Sequence, residues 1–147
     1  MENTHIHSSF DNDLNKLNDN LLKLGNTALE QFDNCINNFG TQNLEEIEKV
    51  IGGDTILDDL DDKVQKLGFE IIALRAPQAA DLRRIIVALK IATIFERIGD
   101  YSRNISNRTK LLIELNYSDL PGVNIGKMGQ KTLTMMEDVI ESYVNED

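Results

Sequence analysis

From Phe10 to Phe39 the apolar residues fall at steps of three and four: Phe10, Leu14, Leu17, Leu21, Leu24, Ala28, Phe32, Cys35 and Phe39. An α-helix, turning about 100° per residue, puts residues so spaced on one side. A stripe of this length with no proline in it predicts a long helix packed against others, with Gly40 as its stop. Pro77 and Pro121 are the only prolines, and no apolar–polar alternation or Asn-Gly turn competes with the helical pattern. The fold class is therefore all-α.

Two more helices follow. Asn43, with Glu46 three residues on, marks the start of the second. Its apolar side is Leu57, Leu60, Val64, Leu67, Ile71 and Leu74, and Gly52-Gly53-Asp54 is expected to weaken or kink it. "RAPQ" ends it, since a residue before proline avoids the α region. The third helix is predicted from about Pro77 to about Asn116, apolar on two sides: Leu82, Ile86 and Leu89 on one, Val87, Ile91, Ile94 and Ile98 on the other. A short connection makes the second and third helices antiparallel neighbours.

After the "NYSDLPG" linker a final amphipathic segment repeats the first helix at a shift of 104 residues. Leu24-Gly25 matches Met128-Gly129, Leu29 matches Leu133, Phe32 matches Met136, Asp33 matches Glu137, Ile36 matches Ile140 and Phe39 matches Tyr143. The expected architecture is a three-helix antiparallel bundle over residues 1–118, then a linker and the first helix of a second, truncated repeat over 119–147.

The net charge of −10 argues against a nucleic-acid or anionic-membrane face. The longest apolar stretch, Ile85 to Phe95, is too short and too interrupted to span a bilayer. The start shows no basic or apolar secretory pattern and Cys35 has no second cysteine to pair with, so the expected location is the cytoplasm.

The acids carry the chemical interest. In "FERIGDYSRNI", Glu96, Asp100 and Asn104 form one helical ridge continuing Leu82, Ile86, Leu89 and Thr93. Gly99 leaves room beside Asp100 for a neighbouring backbone, a water or an ion. On the second helix Asp54, Asp58 and Asp61 share a face roughly 130° from its apolar side. Stacked like charges repel, so carboxylates converging from two helices call for a counter-charge. Hard cations such as Mg²⁺, Ca²⁺, Mn²⁺ or iron take oxygen ligands. The competing reading is a solvated face whose acids pair with Arg97, Arg103 and Arg108. In "RAPQAADLRR", Asp81 suits a first helical turn, and Arg75, Arg83 and Arg84 are placed to pair with it or with a partner's acids. His5 and His7 make no Glu-x-x-His di-iron motif and offer at most a weak metal pair. Nothing in the sequence supports nucleophilic catalysis.

"VIGGDTILDDLDDKV", "IIALRAPQAADLRR" and "FERIGDYSRNI" resemble, in order and spacing, the PhoU family of bacterial phosphate-uptake regulators. The resemblance extends over nearly the whole chain; its specific parts are Pro-x-x-x-Asp-Leu-Arg and Glu-Arg-Ile-Gly-Asp. It implies two three-helix bundles related by a repeat. It also implies Glu/Asp-x-x-x-Asp motifs holding multinuclear iron, zinc or other divalent metals. Here the third-helix motif is Glu96 with Asp100; the second-helix motif begins at Asp61, but Gln65 stands four residues on where an acid is usual. The metal set expected is Asp54, Asp58, Asp61, Glu96 and Asp100. The implied role is a non-enzymatic cytoplasmic adaptor, often homodimeric, that restrains the phosphate ABC transporter and helps the membrane sensor histidine kinase report sufficiency, so that phosphate-responsive two-component signalling is negatively modulated. The alternatives are an accessory protein of a simpler phosphate permease, a helical metalloenzyme, or a structural bundle without metal.

Overall fold

The computed structural model describes residues 2–117 and 124–145, with side chains from residue 9 onward except that of Asp54. The linker at 118–123, the side chains of His5 and His7, and residues 146–147 lie outside the described residues. The described residues form five helices and no strand: α1 (Glu2–Thr41), α2 (Leu44–Gly52), α3 (Asp54–Arg75), α4 (Ala79–Glu114) and α5 (Ile125–Asn145). Among them no helix is long and apolar enough to cross a membrane.

Helix α1 lies at the centre and packs against each of the other four. Its predicted stripe is its buried side, with Leu17, Leu21, Leu24, Ala28, Phe32 and Cys35 all inside. Gly40 does not stop it: the helix runs to Thr41, and the left-handed turn falls on Gln42, at φ 54°. Asn43 caps α2, its Oδ1 accepting from the N–H groups of Glu45 and Glu46 at 3.1 and 3.4 Å. The predicted second helix is broken in two at Gly53. There the Gln31 side chain of α1 donates to the Val50 carbonyl at 3.2 Å, beside the break.

Arg75 closes the far end of α3 onto the start of α1. It donates to Asp13 Oδ2 through Nε (3.1 Å) and Nη2 (2.8 Å), and to Ser9 at 2.6 Å. This arginine is a clamp between helices, not a partner of Asp81. Three residues then turn the chain into α4, with Ala76 left-handed at φ 46°, ψ 55°. Alanine pays about 1 kcal/mol or more for that conformation and glycine does not. An Ala76→Gly protein is expected to be about 1 kcal/mol more stable, read from its urea midpoint. Helix α4 ends cleanly: Tyr117 N–H bonds the Leu112 carbonyl, Asn116 N–H bonds the Ile113 carbonyl, and Asn116 takes φ 52°. That is a Schellman turn with asparagine at its left-handed position.

The packing of α4 differs from its sequence reading. Val87, Ile86 and Ile94 are 45, 40 and 57% exposed, and Leu74 of α3 is 78% exposed. The deeply buried side is a third stripe: Ile85, Ala88, Ala92, Phe95, Gly99, Ser102, Ser106 and Thr109. Small side chains there let α4 come close to α1, and the larger aliphatic residues are left at the flanks. Gly99 admits neither backbone nor ion: a Cβ there would overlap Leu57 Cδ1 of α3.

Helix α5 packs on α1 through a reciprocal seat. A Cβ at Gly25 would meet Ile140 at 2.8 Å, and one at Gly129 would meet Ile36 at 2.6 Å. Under the 104-residue correspondence, Gly25 maps to Gly129 and Ile36 to Ile140, so the two contacts exchange matched residues. Such an exchange is the local signature of a two-fold relation between antiparallel helices.

Candidate functional site

The acidic segments lie along one flank of the α3–α4 contact. Gln65 of α3 fixes the register: its Nε2 donates to the Leu89 carbonyl (3.2 Å) and to Thr93 Oγ1 (3.1 Å) of α4. Leu57 against Gly99 sets the same antiparallel alignment two turns further along. Asp61 lies one turn before Gln65 and Glu96 one turn after Thr93, so both sit on this flank. Asp58 continues the line on α3, and Asp100 continues it on α4.

Three of the acids on this flank, Asp61, Glu96 and Asp100, are engaged by the chain itself. Gln65 Nε2 also donates to Asp61 Oδ1 at 3.0 Å. Arg103 donates to Asp100 Oδ1 at 2.6 Å, both side chains a little over one-third exposed, so the pair adds well under 1 kcal/mol. Glu96 is half-buried and engaged too. Asp58 is exposed, and Asp54 is outside the described side chains. Among the described residues no three of His, Cys, Asp and Glu come together in a way that could hold a metal ion. The donor set described here does not fit a multinuclear cluster. Sequence reasoning singled out the acids, but it did not foresee that an amide would close the flank between them.

Next to the acids the same flank turns apolar. Phe69, 61% exposed, stands with Ile86, Leu89, Lys90, Thr93, Ile94 and Gln65 around an open groove of about 460 Å³. An exposed aromatic beside aliphatic residues and a line of acids suits a protein surface carrying apolar and basic groups.

The family profile of the PhoU domain matches residues 21–109. The chain belongs to the PhoU family. Three similar relatives each carry the name phosphate-specific transport system accessory protein PhoU homolog. The one from Caulobacter vibrioides is 32% identical over 97% of this chain and 62% of its own length. That from Clostridium acetobutylicum is 32% identical over 92% and 62%, and that from Aquifex aeolicus 33% over 92% and 61%. The chain thus spans about three-fifths of the length of these PhoU relatives. Both the acid-bearing α3 and the Glu-Arg-Ile-Gly-Asp turn of α4 fall inside the matched PhoU segment.

Cys35 of α1 is buried against α4. Its thiol donates to the Ser102 carbonyl at 3.3 Å, and burial pushes its pKa above the ordinary 9.0. The native thiol therefore stays protonated and inert. Maleimide labelling at pH 7 is expected to proceed only at the rate of unfolding. The raised pKa favours the native state below pH 9 and loses that advantage as pH rises above it, because the unfolded thiol ionises first. Stability should therefore decline above pH 9, by less in Cys35→Ala relative to its own value at pH 7.

Proposed function

We propose that this PhoU-family chain is a cytoplasmic adaptor in phosphate homeostasis. In this reading it restrains high-affinity phosphate ABC transport and the phosphate-responsive sensor histidine kinase by binding their cytoplasmic parts, and it carries out no chemistry of its own. The names of the relatives support the phosphate-transport part. The observation that carries the docking part is the mixed α3–α4 face, where Phe69, Ile86 and Ile94 stand exposed next to Asp58, Asp61 and Asp100. The test is a pull-down of the tagged chain with the transporter ATPase and the kinase's cytoplasmic region, each purified. Binding to at least one, weakened tenfold or more by Phe69→Ser with Asp61→Lys, supports the reading. Recovery of neither by the folded parent chain contradicts it.

Self-association belongs to the same reading. Met135 and Val139 of α5 are 67 and 45% exposed and line an apolar groove with Ile91, Ile94 and Ile98 of α4. Lys131 and Asp138 lie one turn to either side of Met135, so a second copy placed antiparallel sets each lysine against an aspartate. Light scattering at about 100 μM should then give a dimer and Met135→Glu a monomer; a monomeric parent would contradict this.

A further inference from the structure

The residue where the PhoU pattern usually has an acid is an amide in this chain, and the amide has a definite place. Gln65 Nε2 faces three oxygens: Asp61 Oδ1 at 3.0 Å, Thr93 Oγ1 at 3.1 Å and the Leu89 carbonyl at 3.2 Å. The Thr93 hydroxyl in turn donates to the Leu89 carbonyl at 3.2 Å, which closes the network. Carboxylate, hydroxyl and carbonyl oxygens gathered at one point are the donor types a hard cation takes. Here the positive ends of an N–H₂ group occupy that point. A glutamate or aspartate at position 65 would have no hydrogen to offer. It would set a second negative charge about one hydrogen bond from Asp61, and only a cation or a proton would relieve it.

We infer that Gln65 does at the α3–α4 flank what a bound divalent cation would otherwise do, so that this flank closes without metal. The reasoning extends to the neighbouring acids, since Asp100 takes a guanidinium from Arg103 and Glu96 is engaged as well. The folded state of this chain is then indifferent to divalent cations, and the dependence is one residue away.

The test compares the parent with Gln65→Glu and Gln65→Leu by thermal unfolding, with Mn²⁺ as the probe, together with metal analysis of the purified proteins. The parent is expected to carry under about 0.1 metal ion per chain and to keep its Tm within about 1 °C in 1 mM EDTA or 1 mM MnCl₂. Both variants should melt roughly 3–6 °C lower at pH 7. Mn²⁺ should restore most of that loss in Gln65→Glu and none in Gln65→Leu. Lowering the pH to 4.5 should likewise narrow the gap for the glutamate variant alone, because a protonated carboxyl regains a donor. Stoichiometric metal in the parent, or a Mn²⁺-induced rise in its Tm equal to that of Gln65→Glu, overturns the inference. So does a glutamate variant that melts like the parent in EDTA.

Discussion

A Gly99→Val protein is expected to be about 3 kcal/mol less stable than the parent in urea unfolding. Replacing a glycine inside a helix ordinarily gains up to about 1 kcal/mol, but here the packing reverses the sign. Gly99 is fully inside α4, and the space its Cβ would fill is held by Leu57 Cδ1, with Gln31 Oε1 3.3 Å away. Leu57 is 0% exposed, so it has no open direction in which to move. Overpacking of this kind forces off-rotamer side chains or parts the helices, and that outweighs the gain in helix propensity. Gly126 of α5 is the internal control, since a Cβ there meets nothing within 4 Å. Gly126→Ala should be neutral or slightly stabilising. In the double variant Gly99→Ala/Leu57→Ala the two losses should fall short of their sum by 1 kcal/mol or so, because each removes part of the other's cause.

The second large effect is expected at Phe95. It is 2% exposed and its ring edge lies 3.2 Å from where a Cβ of Gly25 would be, on the side of α1 that also receives α5. It thus joins α4 to the α1–α5 pair. Truncation to alanine removes a buried ring whose space rigid helix backbones cannot close, at about 3–5 kcal/mol. Against a total of about 5–15 kcal/mol for a domain, that brings the chain close to unfolding at 37 °C. The check is the denaturation midpoint together with the helical signal at 222 nm. A shift below 1 kcal/mol would mean that α4 does not depend on this contact.

What the sequence made legible followed from periodicity. The seam of α1 from Leu17 to Cys35 is buried as its spacing required, and Asn43 caps a helix as its type suggested. The side of α4 that faces α1 was not legible in the same way. Hydrophobicity favoured Ile86, Val87 and Ile94, whereas the buried stripe is Ala88, Ala92, Gly99, Ser102 and Ser106. When helices pack closely, size decides, and a run of small residues at helical spacing was the signal to weigh. The acids show the same division. Spacing could say which acids share a side of one helix, since a helix fixes that. Their partners could not: Gln65 reaches across to α4, and that contact depends on the register of two helices that meet only in the fold.

The central proposal, that this PhoU-family chain restrains phosphate signalling by docking through its α3–α4 face, has a direct test. It is a phosphate-starvation promoter fused to a reporter, in a bacterium deleted for its own PhoU-family gene. In phosphate-replete medium the parent chain should restore repression by tenfold or more, while Phe69→Ser/Asp61→Lys, expressed and folded to the same extent, should leave the reporter on. Repression by the variant equal to that of the parent, or none by the folded parent, would contradict the account.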